Sequence, residues 1–193
     1  AKGIKTTTSH RRLTILRAAI SWAAESELID SNPLLGIKLP QGKYEKIAPP
    51  SPAETTAILA VAPPHLYRAI MLGVSFGRRI GPTELFRLRW EDVDLERGML
   101  RVWSADKNTD RPSRDVPIKA SLLGEIKAWR EQDKLEGQEY IIAYKGKPIS
   151  SIKKTWHKSL ERAGITRRIR PYDLRHAFAT YALDAGADTN AVA

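Results

Sequence analysis

The stretch Arg170-Pro171-Tyr172-Asp173-Leu174-Arg175-His176-Ala177-Phe178-Ala179-Thr180 places an arginine, a phenol and an imidazole together at the entrance to a helix. Pro171 fixes its own φ and has no backbone donor, which suits a helix entry. Asp173 suits the first turn, where its charge meets the positive end of the helix dipole. From that start the pattern predicts Leu174, Phe178 and Leu183 on the inward face, Arg175 on another, and a stop at Gly186 after about Ala185. Taken alone, the stretch fits an amphipathic helix with an ordinary surface arginine equally well as a cluster that offers donors to a phosphate. The residues upstream must decide.

Immediately upstream, Arg167, Arg168 and Arg170 follow a helix that Ser150 or Ser151 opens and Gly164 ends. Ser121 caps another helix to about Gln132, and Tyr140-Ile141-Ile142-Ala143 reads as a short extended piece. Met99-Leu100-Arg101-Val102-Trp103 is a strand by its branched and aromatic content. Arg114-Asp115-Val116-Pro117-Ile118 is its antiparallel partner, across a polar connection from Ser104 to Ser113 that contains Lys107. Glu96-Arg97-Gly98 is a turn, and Pro82-Thr83-Glu84-Leu85 starts a helix whose buried side includes Leu85, Leu88 and Trp90. Two further helices are expected, one from the capping box Ser51-Pro52-Ala53-Glu54 to about Val61 and one from His65 to Phe76. Lys38 to Pro50, with four Pro or Gly and Lys43 and Lys46, has the composition of a basic linker. Before it, Thr6-Thr7-Thr8-Ser9 offers caps to a helix from about His10 to Glu27, apolar at Leu13, Leu16 and Ile20 and basic at Arg11, Arg12 and Arg17. The fold class is therefore mainly α with a small antiparallel β-sheet (α+β).

The bulk composition narrows the partners. Lys and Arg number 32 against 22 Asp and Glu, a net charge of +10 on 193 residues. That excess suits a polyanion, because each neutralised phosphate releases counterions. The basic residues are dispersed along the chain and not laid along one amphipathic helix, which weighs against a membrane-surface role. No apolar run approaches the roughly 20 residues of a membrane helix and no signal-peptide core is present, so a cytoplasmic location is expected. With no cysteine, and with His10, His65, His157 and His176 scattered, no metal site is expected.

In their order, three segments resemble the boxes of tyrosine recombinases, the phage integrase family. Gly77-Arg78-Arg79, followed by Glu84-Leu85 and Leu88-Arg89-Trp90-Glu91-Asp92-Val93-Asp94, is similar to the first arginine box. Lys107 and the Arg114 strand resemble the lysine hairpin, and Tyr172-Asp173-Leu174-Arg175-His176 resembles the second arginine box. Ala18-Ala19-Ile20-Ser21-Trp22-Ala23 and Asn32-Pro33-Leu34 are similar to the end of the family's core-binding domain. The resemblance implies three parts: residues 1–37 as the end of a helical core-binding domain, 38–50 as a basic interdomain linker and 51–193 as a catalytic domain without its C-terminal segment.

The resemblance also implies a chemistry. Arg79 and Arg175 would clamp the non-bridging oxygens of a scissile phosphate, with Arg78 next door as the alternative box arginine, and Lys107 would protonate the departing 5′ oxygen. Glu84 and His176 would support them, while Arg11, Arg12, Lys43, Lys46 and Arg78 would touch duplex DNA. The five-residue interval from Arg79 to Glu84 is longer than the family's usual three, so Glu84 reads either as the brace or as a first-turn carboxylate. Tyr172 stands where the family has histidine. A phenol donates a hydrogen bond but carries no positive charge, so Tyr172 either bonds a phosphate oxygen or packs beside Pro171. The family's nucleophilic tyrosine follows the second arginine by some tens of residues, so no nucleophile is expected in this chain, which by itself is expected to be inactive. Tyr181 lies about 240° around the helix from Arg175 and does not substitute. The implied activity is site-specific recombination, for integration or excision of a phage or mobile element, through a 3′-phosphotyrosine, without cofactor and with a tetramer on DNA for the full-length protein. A non-catalytic DNA-binding relative and a type IB topoisomerase are the rival readings.

Overall fold

The computed structural model describes residues 3–42, 48–103 and 113–188. The chain divides into two compact units, Ala1–Lys46 and Ile47–Ala193. In the first, helix α1 runs Thr6–Glu25, four residues earlier than expected, and Lys5 precedes it without a side-chain cap. The Thr-Thr-Thr-Ser run is therefore inside the helix; backbone bonds from Thr8 and Ser9 to the Lys5 carbonyl, at 2.9 and 3.0 Å, serve the first turn instead. Asn32, only 6% exposed, pins the turn that follows: its amide donates to the carbonyl of Arg17 and to Ser21 Oγ, and its oxygen accepts from the amide of Leu34. No α1 residue is buried, and Ile15 and Trp22 are exposed.

The second unit begins with α2 (Pro52–Val61), where both bonds of the capping box form: Glu54 N donates to Ser51 Oγ at 3.2 Å and Ser51 N to Glu54 Oε2 at 2.8 Å. Helix α3 (Pro64–Phe76) follows. A three-stranded antiparallel sheet, β1 (Val93–Asp94), β2 (Met99–Trp103) and β3 (Ser113–Pro117), comes next, in the order β1-β2-β3. Its register sets Leu100 opposite Val116 and Val102 opposite Arg114. Helix α4 (Ala120–Leu135) leads to a small hairpin, β4 (Ala143–Tyr144) and β5 (Lys147–Pro148), then α5 (Lys153–Arg162) and α6 (Asp173–Asp184). One core joins them, with Ile58, Leu66, Ile70, Leu100, Trp156 and Leu174 fully buried. No helix among the described residues is long and apolar enough to cross a membrane.

The helix expected from Pro82 is absent. Two 3-10 turns, Leu85–Arg87 and Trp90–Asp92, stand in its place. A distant segment takes the backbone groups that a longer helix would need: Trp90 N donates to the Glu139 carbonyl at 3.0 Å and Ile141 N to the Leu88 carbonyl at 3.1 Å. Leu85, Leu88 and Trp90 are nonetheless buried as expected: Leu85 and Leu88, three apart, share a face across the first turn, and Trp90 is drawn inward by the bond from its Nε1 to the buried Asp133. Helix α4 starts at Ala120 with Lys119 before it and without the expected Ser121 cap, and α5 starts at Lys153 after Ile152. Leu183 is 42% exposed, not inward. Nine positions from Leu174 amount to about 900°, a half-turn away.

Arg167 ties the segment before α6 to the start of α2. It donates to both Glu54 oxygens at 2.6 Å and to the carbonyls of Ala48 and Pro49 at 2.9 and 3.0 Å. The Arg167 bonds foremost, then those of Ser51, pull the Glu54 carboxyl from 4.5 down to about 2 against the opposing effect of burial. A depressed folded-state value stabilises the fold above the unfolded one, so this contribution is complete above pH 4.5 and is lost as pH falls from there through about 2. The pair is partly open to solvent, which limits the loss to about 1 kcal/mol. Urea midpoints measured across that window should fall in the wild type, and Glu54→Gln should flatten the difference.

Candidate phosphate-binding site

Three segments converge at the start of α6. Helix α3 ends at Gly77, in the left-handed region at φ 61°, and a Cβ there would lie 2.5 Å from Phe178 Cδ1 on α6. Glycine thus permits both the turn and the close passage of α6, and the next two residues, Arg78 and Arg79, emerge beside that helix. The chain then doubles back: Phe86 N bonds the Gly81 carbonyl at 3.0 Å and Leu85 N the Arg79 carbonyl at 3.4 Å. This fold brings Glu84, 5% exposed, under both arginines. Glu84 accepts from the Arg79 amide at 3.2 Å and forms ion pairs with Arg79 Nε at 3.6 Å and Arg78 Nη1 at 3.7 Å. The long interval from Arg79 is taken up by the Gly81-Pro82 turn, and Glu84 is no first-turn helix carboxylate.

On α6, the buried Asp173 carboxylate reaches back to the Arg170 amide at 2.8 Å and to the Arg170 guanidinium at 2.6 Å, which holds the helix entry. Leu174 and Ala177 face the core, and Tyr172, Arg175 and His176 are left toward the arginine loop. The Tyr172 ring, 41% exposed, lies edge-on to His176 at 5.2 Å, with Arg79 Cζ 6.0 Å from its centroid. The Tyr172 ring therefore touches both Arg79 and His176 and remains partly open to solvent. Tyr181 faces elsewhere: its hydroxyl donates to the Pro50 carbonyl at 2.7 Å and lies 3.2 Å from Thr55 Oγ1.

The two neighbouring arginines differ. Arg79 is half exposed and associates with Tyr172. The Arg78 side chain is 14% exposed and lines a cavity of about 650 Å³ together with Arg175 and His176. Burial, and after it the charge of Arg114, push the Arg78 guanidinium below its ordinary value; Glu84 opposes this and Arg175 adds to it. Arg114 lines the same cavity. In the sequence it appeared only as a strand residue of the hairpin; the signal that could have singled it out is a charge at an alternating position that Val116 marks as inward.

Of the other expected site residues, Lys107, Lys43 and Lys46 lie outside the described residues, while Arg11 and Arg12 are exposed on α1 in the first unit. Among the described residues, no group of three or more His, Asp or Glu side chains is placed to hold a metal ion. The arrangement can bind an anion: guanidinium groups that donate planar pairs of hydrogen bonds, a phenolic donor beside them and one buried carboxylate to orient them.

The site thus lies where the loop after α3 meets the start of α6 in a mainly helical unit with a small antiparallel sheet. The family model described as "Phage integrase family" matches residues 51–193, and the chain belongs to that family. It is 30% identical to prophage integrase IntR of Escherichia coli (strain K12) across 97% of this chain and 53% of the relative. It is 36% identical to tyrosine recombinase XerA of Thermococcus onnurineus (strain NA1) across 72% of this chain and 50% of the relative. The chain thus spans about half the length of these curated relatives. Among solved structures, a lambda integrase dimer bound to a COC′ core site superposes with a TM-score of 0.77 at 20% identity, over 97% of this chain and 68% of that one. The Tn1549 transposon integrase in complex with transposon right end DNA gives 0.78 at 19%, over 99% and 71%. These likenesses show the fold.

Proposed function

We propose that this chain is the phosphate-handling part of a site-specific DNA recombinase that integrates or excises a phage or mobile element by type IB phosphoryl transfer. The observations that support the reading best are the pairing of Arg78 and Arg79 with one buried carboxylate, Glu84, the Tyr172 ring beside Arg79, and Arg175 lining one cavity with Arg78. In this reading Arg79 and Arg175 donate to the non-bridging oxygens, where charge builds as a nucleophile adds, and Tyr172 adds a neutral donor in place of a histidine. Glu84 orients Arg79, and His176 holds the Tyr172 ring. A tyrosine hydroxyl attacks phosphorus, the bond to the 5′ oxygen breaks, and Lys107 supplies that oxygen with a proton; the 5′ hydroxyl of another strand later reverses the step. Tyr181 is committed to Pro50 and Thr55, and Tyr172 lies beside the phosphate, so neither is the nucleophile in this reading. Residues before position 38 are assigned to the end of a core-binding domain, the linker to 38–50, and a tetramer on duplex DNA to the complete protein.

The test is covalent trapping. The complete gene product is incubated with a panel of nicked suicide duplexes, and the linked peptide is identified by mass spectrometry. The expected adduct is a 3′-phosphotyrosine at a residue other than Tyr172 or Tyr181. Duplex binding without any adduct would leave a DNA-binding relative, and relaxation of supercoils with no need of a specific site would favour a topoisomerase.

A further inference from the structure

We propose that Arg114 and Arg78 together form a second phosphate seat, next to the one served by Arg79 and Arg175, and that it holds another phosphodiester of the bound duplex. The inference rests on the reading of the site as DNA-binding and adds to it a residue pair and a second point of grip.

The sheet register decides where Arg114 points. Arg114 lies opposite Val102, which is 2% exposed, and shares its face with Val116, which lies opposite the fully buried Leu100. Arg114 is thus a charge on the core-facing side of β3, near the end of the strand. Its neighbour Asp115 is on the other face, paired with Arg101 at 3.4 Å, so the nearest strand carboxylate is turned away and already engaged. Arg114 therefore looks into the cavity of about 650 Å³ that Arg78, Lys119 and Arg175 also line, over Val116 and Phe178.

Charge in that cavity is out of balance. Among the described residues no ion pair or side-chain hydrogen bond engages Arg114, Lys119 or Arg175, and the carboxylate near Arg78 is Glu84, at 3.7 Å and shared with Arg79. Burial does most to depress the Arg78 guanidinium, and the charges of Arg114 and Arg175 add to it. Arg78, its side chain 14% exposed, is held beside other cations, which disfavours its charged form in the free protein, and a bound anion removes that cost. A phosphodiester fits, since guanidinium groups from two directions can share its two non-bridging oxygens. The rival explanation is that Arg114 is an inward charge that protects an edge strand from pairing with another chain. That explanation requires no ligand.

The two explanations separate in the salt dependence of binding. The complete gene product is titrated with a fluorescent duplex of arbitrary sequence at several salt concentrations, which isolates phosphate contacts from base reading. Each phosphate contact adds about 0.9 to the slope of log K against log salt. Arg114→Gln, at an exposed position, should lower the slope by about 0.9 and weaken binding several-fold, and Arg114→Lys should restore most of the slope. Arg78→Gln should act alike. The double variant should lose about 0.9 in total, because both side chains serve one phosphate. Arg97→Gln, in the turn before β2, should match the wild type. An unchanged slope in Arg114→Gln overturns the seat, and an additive loss of about 1.8 in the double variant overturns its sharing by the two arginines. If the wild type itself binds without salt dependence, the DNA-binding reading falls first; a steep wild type with an unaltered Arg114→Gln removes the second seat alone.

Discussion

Arg175→Ala in the complete gene product is expected to reduce covalent protein–DNA adduct about 100- to 1,000-fold while leaving duplex affinity within about tenfold. Among the described residues no carboxylate holds the Arg175 side chain, which lines the cavity beside Arg78. Its removal therefore strands no buried partner and relieves a repulsion on Arg78, so the fold should keep its stability. The loss falls on the transition state, where charge on the non-bridging oxygens is greatest and a preorganised donor has most effect. Arg175→Lys retains the charge but not the planar fork and should recover only a small part of the adduct. The measurement is adduct yield on a suicide duplex beside equilibrium binding on the intact one. Adduct at the wild-type level in Arg175→Ala would refute the clamp.

The second large effect concerns stability. Asp133 is 1% exposed and Arg68 7%. Arg68 donates to the two Asp133 oxygens at 2.7 and 3.0 Å and to the Ile141 carbonyl at 3.0 Å. Trp90 Nε1, at 2.9 Å, and Gln138 Nε2, at 3.2 Å, donate to the same carboxylate. One buried carboxylate thus joins α3, α4, the second 3-10 turn and the segment before β4. Asp133→Ala leaves the guanidinium buried without its counter-charge and should cost about 3–5 kcal/mol, lowering the melting temperature by on the order of 10 °C. Urea unfolding would measure it. Arg68→Met combined with Asp133→Leu should regain part of the loss, because no buried ion is then unpaired, although the Trp90 and Gln138 donors still lack an acceptor. A single variant as stable as the wild type would show that the pair contributes nothing.

That network was not legible in the sequence. Arg68 interrupts an apolar helix and Asp133 lies near a helix end, and nothing local connects them. Glu84 was legible only as one of two alternatives, brace or first-turn carboxylate, and the turn through Gly81 decides between them by setting it against Arg78 and Arg79. Arg114 read as an ordinary strand residue because its meaning depends on which sheet face meets the helices. By contrast, the second arginine box, the β2–β3 pairing and the order of the helices other than the one expected from Pro82 were readable, and the pattern of boxes was enough to point to the family.

The sequence by itself determined what short-range forces settle. The capping box at Ser51 and Glu54, the proline entry to α6 and the branched and aromatic residues that make β2 a strand depend on backbone and side-chain groups a few residues apart. Such contacts cost little chain entropy to close. Only the tertiary structure decided the fate of residues 82–92, whose backbone is claimed by residues 139–141, the pairing of Arg78 and Arg79 with Glu84, and the meeting of Arg78, Arg114 and Arg175 at one cavity. Those outcomes depend on contacts between distant segments, which only the packing of the whole core brings into reach.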